Sequence, residues 1–351
     1  MAHKALIGGT AYNITGGKSL ISGTSYNIAK GKTLIRGSEY DINFGPVKTA
    51  MLYSDGNFVF QGGDDVAPGK TLVASYTGFE DTTTPPWDGR QSSFKDVSFD
   101  IEVAPVSMSE WFYNARNMTT NIDNFSNLNM DNLTNMVNAY GFCRNLTGSP
   151  VCGKNVTSMA YTYMNCFILT GSPACGDNVT NMTYAYYNCR GLTGSPVCGN
   201  NVTNMVNAYY YCNNLTGAPV CGNNVTDMAN TYANCTNLTG SPVCGNKVTN
   251  MSNTYRNCNN LWGNAYFLSP NVANVANCFY GRNVRKRLNI YVQAGSTTNT
   301  VVHYNNTFSL TGASITWTNA GSYQYNTASN IYIYPVSNVI ATGIQKGDLK
   351  Q

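Results

Sequence analysis

The sequence predicts an α/β repeat solenoid, each coil built of a short strand plus a short helix or 3-10 turn, flanked by small all-β N- and C-terminal regions. Three observations carry this expectation. Met136, Met159, Met182, Met205, Met228 and Met251 recur at one fixed interval, and columns running from Tyr140 to Tyr255, Cys143 to Cys258 and Leu146 to Leu261 keep the same spacing. A strict period of roughly 20–50 residues marks units that cannot bury their apolar face alone and stack to share one core. Within one unit, Met159, Tyr163, Cys166 and Leu169 sit at i, i+4, i+7 and i+10, the spacing of one helical face, with Thr157 placed as an N-cap. Gly171 and Pro173 then break the run, and Ala174-Cys175 reads as a short strand segment.

Residues 1–45 carry a different repeat, with a period of 14. Lys4, Lys18 and Lys32 open its units, Leu-Ile pairs precede Gly9, Gly23 and Gly37, and Tyr12/Ile14, Tyr26/Ile28 and Tyr40/Ile42 alternate as strand residues do. Each unit reads as two very short strands. Three such units bury too little to stand alone, so residues 1–45 are expected to act as an anchor that docks on another protein or trimerises.

Residues 46–107 read as a small β domain and N-terminal cap, with a hairpin at Asp55-Gly56 and strands over 71–79 and 94–105. Residues 108–284 hold about eight coils. The first coil opens at Met108, is longer than the rest because the next methionine of the column is Met136, and places Ala115 in the cysteine column and Met118 in the leucine column. The last begins one residue late, at Val275, with Arg282 in the cysteine column. Residues 285–351 read as a β-rich C-terminal cap with strands at 287–292, 314–317 and 330–335.

Charged residues make up 11% of the chain, against about a quarter in ordinary soluble proteins. The net charge of +4 gives no case for nucleic acid. No apolar run approaches the roughly 18 residues of a membrane-spanning helix, and no membrane insertion is expected. Met1 to Gly17 shows no secretory h-region, so the expectation is synthesis in a cytoplasm with reduced thiols. Eleven of the twelve cysteines fall in two columns, the second running Cys152, Cys175, Cys198, Cys221 and Cys244. A small apolar side chain at a fixed position is a packing column. Stacked coils lie about 4.8 Å apart, within reach of a bridge, so geometry alone leaves disulfides open. Cysteine spacings of 9 and 14 do not resemble a zinc motif.

The chemistry of catalysis is thin. The two histidines, His3 and His303, lie outside the repeats, and Asp123, Asp131, Asp177 and Asp227 are scattered without a recurring pair. No phosphate-cradling glycine motif stands before a helix. No enzyme activity, cofactor or metal is expected. Asparagines in sequons, such as Asn145 and Asn155, are expected to cap turns and bond the neighbouring coil's backbone. Arg282, Arg285, Lys286 and Arg287 form a basic cluster that either touches phosphate or solvates the end of the array.

The repeat consensus C-x-N-L-T-G-S-P-V-C-G-x-N-V-T-N-M-x-N-x-Y-x-N resembles the BspA-like bacterial leucine-rich repeat, in the register of Tyr163, Cys166 and Leu169 and over residues 108–284. It departs at T-G-S-P, where that family alternates apolar residues. The resemblance implies a leucine-rich-repeat fold and adhesion at surfaces rather than catalysis. The short N-terminal units resemble N-terminal segments of tail and other virion proteins of phages that infect Gram-positive bacteria. Together they imply a virion surface protein, a tail fibre or similar appendage, attached to other virion proteins through residues 1–45 and binding a host cell-surface glycan or protein. The alternatives are a structural capsid or tail decoration without a receptor, and a bacterial cell-surface adhesin.

The positions five and eight residues after each methionine vary most between coils. On a helix they would point away from the Met/Tyr/Cys stripe. Arg144, Phe167, Tyr187, Arg190, Tyr210 and Tyr211 are therefore expected to line one exposed, ligand-facing ridge, rings stacking on sugars or filling pockets. Drift on a solvated face is the competing reading.

Overall fold

The computed structural model describes residues 47–269, 272, 274 and 277–281, and elsewhere the backbone of short strands. Those on the N-terminal side are β1 (His3–Ile7), β2 (Thr10–Ile14), β3 (Lys18–Ile21), β4 (Thr24–Asn27), β5 (Lys30–Ile35) and β6 (Ser38–Asn43). They pair as three antiparallel two-stranded hairpins, one for each of the short N-terminal units.

The next segment forms β7 (Lys48–Tyr53), β8 (Asn57–Gly62), β9 (Leu72–Thr77) and β10 (Asp96–Phe99), in the order β10-β8-β7-β9. β7 and β8 are antiparallel across the Asp55-Gly56 turn, where Gly56 has φ +91°. β10 is parallel to β8, which aims the chain at the first coil. The inner face is aromatic. Phe58 stacks on Phe94 at 4.2 Å, Phe60 stacks on Phe99 at 4.4 Å and on Trp111 at 5.6 Å, and Trp87 donates its Nε1–H to the Trp111 carbonyl at 2.7 Å. Trp111 and the adjacent Phe112 belong to the first coil, so this sheet closes that end of the array's core.

The expected α/β solenoid of leucine-rich-repeat type does not form. Among the described residues the only helical pieces are 3-10 turns at Gln91–Ser93 and Ile122–Asn124. The run from each methionine is a ribbon of consecutive turns. In the coil opening at Met136, the N–H groups of Ala139, Gly141, Cys143 and Leu146 donate to carbonyls three residues earlier at 3.0–3.2 Å. Those of Met136, Asn138, Tyr140 and Phe142 donate instead to Ser158, Ala160, Thr162 and Met164 of the next coil at 2.7–3.1 Å. An α-helix would consume these donors internally and leave none for its neighbour. The reason the chain turns is at Asn138 and Phe142, whose φ values are +55° and +64°. A positive φ at the third residue of a turn cannot continue a right-handed helix, and asparagine tolerates it well. The two left-handed columns run Asn138, Tyr161, Tyr184, Asn207, Asn230, Asn253 and Phe142, Asn165, Asn188, Tyr211, Asn234, Asn257.

Thr157 is not an N-cap. Its N–H and Oγ1–H both donate to the Thr134 carbonyl one coil back, at 2.9 and 3.2 Å, and Thr180, Thr203, Thr226 and Thr249 repeat the arrangement. The sequon asparagine Asn155 donates to Asp131 O at 2.7 Å, also across coils. Parallel bridges link Asn135, Ser158, Asn181, Asn204, Asp227, Asn250 and Asn274 in succession.

Methionine, tyrosine, cysteine and leucine columns fill the interior, all buried from Met136 to Leu261. Phe112, the six column tyrosines and Phe279 form a continuous ring stack, with centroids 5.2–5.7 Å apart. Each thiol of the column from Cys143 to Cys258 donates to a backbone carbonyl of the preceding coil, as Cys166 does to Tyr140 O at 3.1 Å and Cys189 to Tyr163 O at 2.9 Å.

The strand expected at Ala174-Cys175 is also absent. The Tyr186 hydroxyl takes both backbone groups of Ala174, receiving its N–H at 3.0 Å and donating to its carbonyl at 2.5 Å. Tyr163 with Val151 and Tyr209 with Val197 do the same. The preceding proline supplies no N–H, so a ladder there would lack a donor in every coil. At the far end strands do appear, the first directly after Pro242 and the second with Ala265 at the proline position: β11 (Val243–Cys244), β12 (Gly263–Phe267), β13 (Leu288–Gln293), and, beyond the hairpin of β14 (Val301–Tyr304) and β15 (Ala313–Thr316), β16 (Gln324–Asn326) and β17 (Ile331–Val336). Their order is β11-β12-β13-β17-β16, parallel except for β16.

Candidate ligand-facing surface

The six residues singled out by column variability fall into two clusters. Tyr187 and Tyr210 stack face to face with centroids 5.0 Å apart and planes 5° apart, and Tyr211 meets Tyr210 edge-on at 4.8 Å. Phe167 lies between Arg144 and Arg190, whose guanidinium carbons are 5.6 and 5.7 Å from its ring centroid. The coil opening at Met182 supplies both Tyr187 and Arg190 and so joins the clusters. Arg144, Arg190 and Tyr211 are exposed, whereas Phe167, Tyr187 and Tyr210 are half-buried. That half-burial corrects the expectation of a fully exposed row. Its cause is the mutual stacking, and the same burial pushes the Tyr187 hydroxyl above its ordinary range.

Two members of the ridge were missed from sequence. Tyr161 stacks on Tyr184 at 5.0 Å, and Tyr184 leans on Tyr187 at 5.3 Å, extending the row to five tyrosines over three coils. The signal was available: both interrupt a column that is otherwise asparagine. Tyr161, Tyr184 and Tyr211 have φ of +60°, +55° and +60°. A bulky residue there costs about 1 kcal/mol or more relative to an unstrained conformation, and backbone strain of this kind gathers where function holds it.

The electrostatics are one-sided. The positions two, five, six and eight residues after each methionine, from Met136 to Met251, hold Arg144, Arg190 and Arg256 and no Asp, Glu or Lys. Arg190 Nε–H donates to Asn188 Oδ1 at 2.8 Å, which fixes its plane, and Arg256 lies over Tyr280 at 5.0 Å. The ion pairs among the described residues lie elsewhere, at Lys48–Glu80, Lys70–Asp55 and Lys154–Asp131. The basic residues Arg282, Arg285, Lys286 and Arg287 lie outside the described residues.

The cysteine columns are not a reactive site. Burial drives the interior thiols well above the ordinary range, and Cys152 and Cys198 are pushed up to about 12, also chiefly by burial. A thiol held neutral is a poor nucleophile and metal ligand. All twelve are free thiols. Among the described residues no three metal-ligating side chains converge, and no helix is long and apolar enough to cross a membrane. No protein-family model, curated protein or solved structure matches the chain.

Proposed function

We propose that this protein is a non-enzymatic surface protein of a phage virion, joined to other virion proteins through residues 1–45 and presenting the stacked coils for host-cell attachment. The observation that carries this reading is the five-tyrosine ridge. Three of its five members, Tyr161, Tyr184 and Tyr211, occupy left-handed backbone positions where asparagine is the unstrained choice, so those rings are held against a local cost that packing alone does not explain. The one-signed arginine face beside it supports the same reading. The short N-terminal units supply the anchoring part of the proposal, each being a lone hairpin of the kind that gains stability by docking.

The test has two arms. An antibody raised against residues 108–284 is expected to decorate an exposed appendage of source particles. Changing Tyr187, Arg190 and Tyr210 together to Ser is expected to abolish binding to the cells those particles infect, with little change in melting temperature. Unaltered binding by the folded variant would move the receptor surface elsewhere, and a decorated particle that never uses the ridge would mark a structural decoration.

A further inference from the structure

Resting on the attachment reading above, we infer that the ridge takes an acidic saccharide chain. The edges and hydroxyls of Tyr161, Tyr184, Tyr187, Tyr210 and Tyr211 meet the sugar hydroxyls and C–H groups, while Arg144 and Arg190 hold its phosphate or carboxylate substituents.

The geometry of the rings decides the class of ligand. Tyr161–Tyr184 and Tyr187–Tyr210 are stacked across successive coils with planes 11° and 5° apart, so each ring has one face covered by its partner and turns the other along the array, toward the coil on its far side. What remains toward solvent is a rim of ring edges and phenolic hydroxyls, each able to donate and accept. A polyhydroxylated chain matches such a rim. Nucleic-acid bases do not, because their binding to aromatic side chains uses open ring faces, and a single strand also asks for a continuous cationic track.

The arginines decide the charge. Phe167 fixes both guanidinium groups, and neither has an ion-pair partner among the described residues. A guanidinium whose plane is already held loses less freedom when it closes on an oxyanion in a bidentate pair. From Met136 to Met251 the positions two, five, six and eight residues after each methionine hold no carboxylate to repel that oxyanion or to compete for the arginines. Ridge and sandwich share the coil that carries Tyr184, Tyr187 and Arg190, so one chain can engage both. Sugar rings stacked flat on open tyrosine faces, the contact expected from the columns alone, are replaced by this edge-on contact.

The experiment uses the full-length chain immobilised for binding to phosphorylated mannan, pectate, unsubstituted mannan, polyglutamate and oligothymidylate. Phosphorylated mannan or pectate is expected to bind, and which of the two binds more tightly identifies the oxyanion. Neutral mannan and polyglutamate are expected to bind at least about tenfold more weakly. Tyr187→Ser with Tyr210→Ser, and separately Arg144→Gln with Arg190→Gln, are each expected to weaken binding about tenfold or more. The arginine pair is also expected to remove most of the salt dependence. Phe167→Leu keeps an apolar side chain of similar size and both charges. It is expected to weaken binding with an unchanged melting temperature, which separates lost guanidinium positioning from misfolding.

Equal binding of polyglutamate reduces the site to charge and overturns the proposal, as does equal binding of neutral mannan. Tighter binding of oligothymidylate overturns it in favour of nucleic acid. Failure of both acidic polysaccharides also overturns it. Periodate treatment of the infected cells, which destroys sugar diols, keeps the two readings apart. Cell binding that survives periodate removes the saccharide and leaves attachment standing, whereas absence of any cell binding by the untreated protein removes attachment itself.

Discussion

Asn230 has a φ of +56°, and its column neighbours Asn207 and Asn253 are at +57° and +53°. The column is asparagine because the turn needs a left-handed residue, not because the side chain is polar. Asn230→Ala is therefore expected to destabilise the chain by about 1 kcal/mol, while Asn230→Gly stays within about a few tenths because glycine meets the same φ without strain. Equal losses in denaturant titrations of the two would refute that account. The core tyrosines allow a sharper contrast. The Tyr209 hydroxyl bonds both backbone groups of Val197, at 3.2 and 2.7 Å, whereas the Tyr255 hydroxyl is buried with no partner. The cause lies at Val243, the equivalent residue, whose N–H goes to Pro219 O and whose carbonyl accepts from Cys221 N. Tyr209→Phe orphans two backbone groups and is expected to cost about 2 kcal/mol, and Tyr255→Phe is expected to be neutral or stabilising.

At the scale of the element, what sets the separation of coils is a glycine column that sequence reading passed over. Gly176, Gly199 and Gly222 have no unusual φ; their constraint is the backbone in front of them. A Cβ at Gly199 would lie 2.9 Å from the Gly176 carbonyl and 3.2 Å from Cys175 Sγ. Gly199→Ala is expected to push two coils apart and cost about 2 kcal/mol by overpacking, with amide exchange accelerating first in the adjoining turns. Unchanged protection there would show that the array yields at this point. The turn ribbon was hidden for a related reason. Its buried positions, such as Met159, Thr162, Tyr163 and Cys166, follow the same i, i+3, i+4, i+7 pattern as an amphipathic helix. Apolar spacing reports which side chains share a face and is blind to where the N–H groups go. The discriminating signal was asparagine recurring four residues apart within the supposed helix, at Asn230 and Asn234 and again at Asn253 and Asn257.

For the whole molecule, burial of so many thiols and phenols makes an alkaline limit to stability. Burial raises the folded pKa of these groups, with Cys152 and Cys198 pushed up to about 12 from an ordinary 9.0. The folded state therefore keeps protons that the unfolded chain releases, and stability falls as pH rises above that ordinary value. The contribution is fully present below pH 9.0 and is lost progressively toward the folded values. The acid limb is expected to be shallow, because the described ion pairs are partly exposed and exposed pairs contribute little. A melting temperature flat across neutral pH and falling above about pH 9 is the expected profile; a main transition on the acid side would contradict it. The same burial predicts slow alkylation of the folded, unreduced protein and labelling of all twelve cysteines once it is denatured. An intact mass that fits disulfides would overturn this.

The sequence by itself determined the periodicity, the residues that share the core, and which columns vary. The four columns from Met136 through Leu261 recur at one interval, and every member of them is buried. Those properties follow from composition at fixed spacing, which a one-dimensional reading can see. Tertiary structure alone decided the backbone between the columns and the form of the surface. Whether the N–H of Tyr163 serves its own coil or Ala185 of the next, and whether the Tyr186 hydroxyl or a strand claims Ala174, depends on competition between partners distant in sequence. Whether five tyrosines offer faces or edges depends on which neighbours lie 5.0 Å away. Local propensity has no access to either competition, since the partners exist only once the coils have stacked.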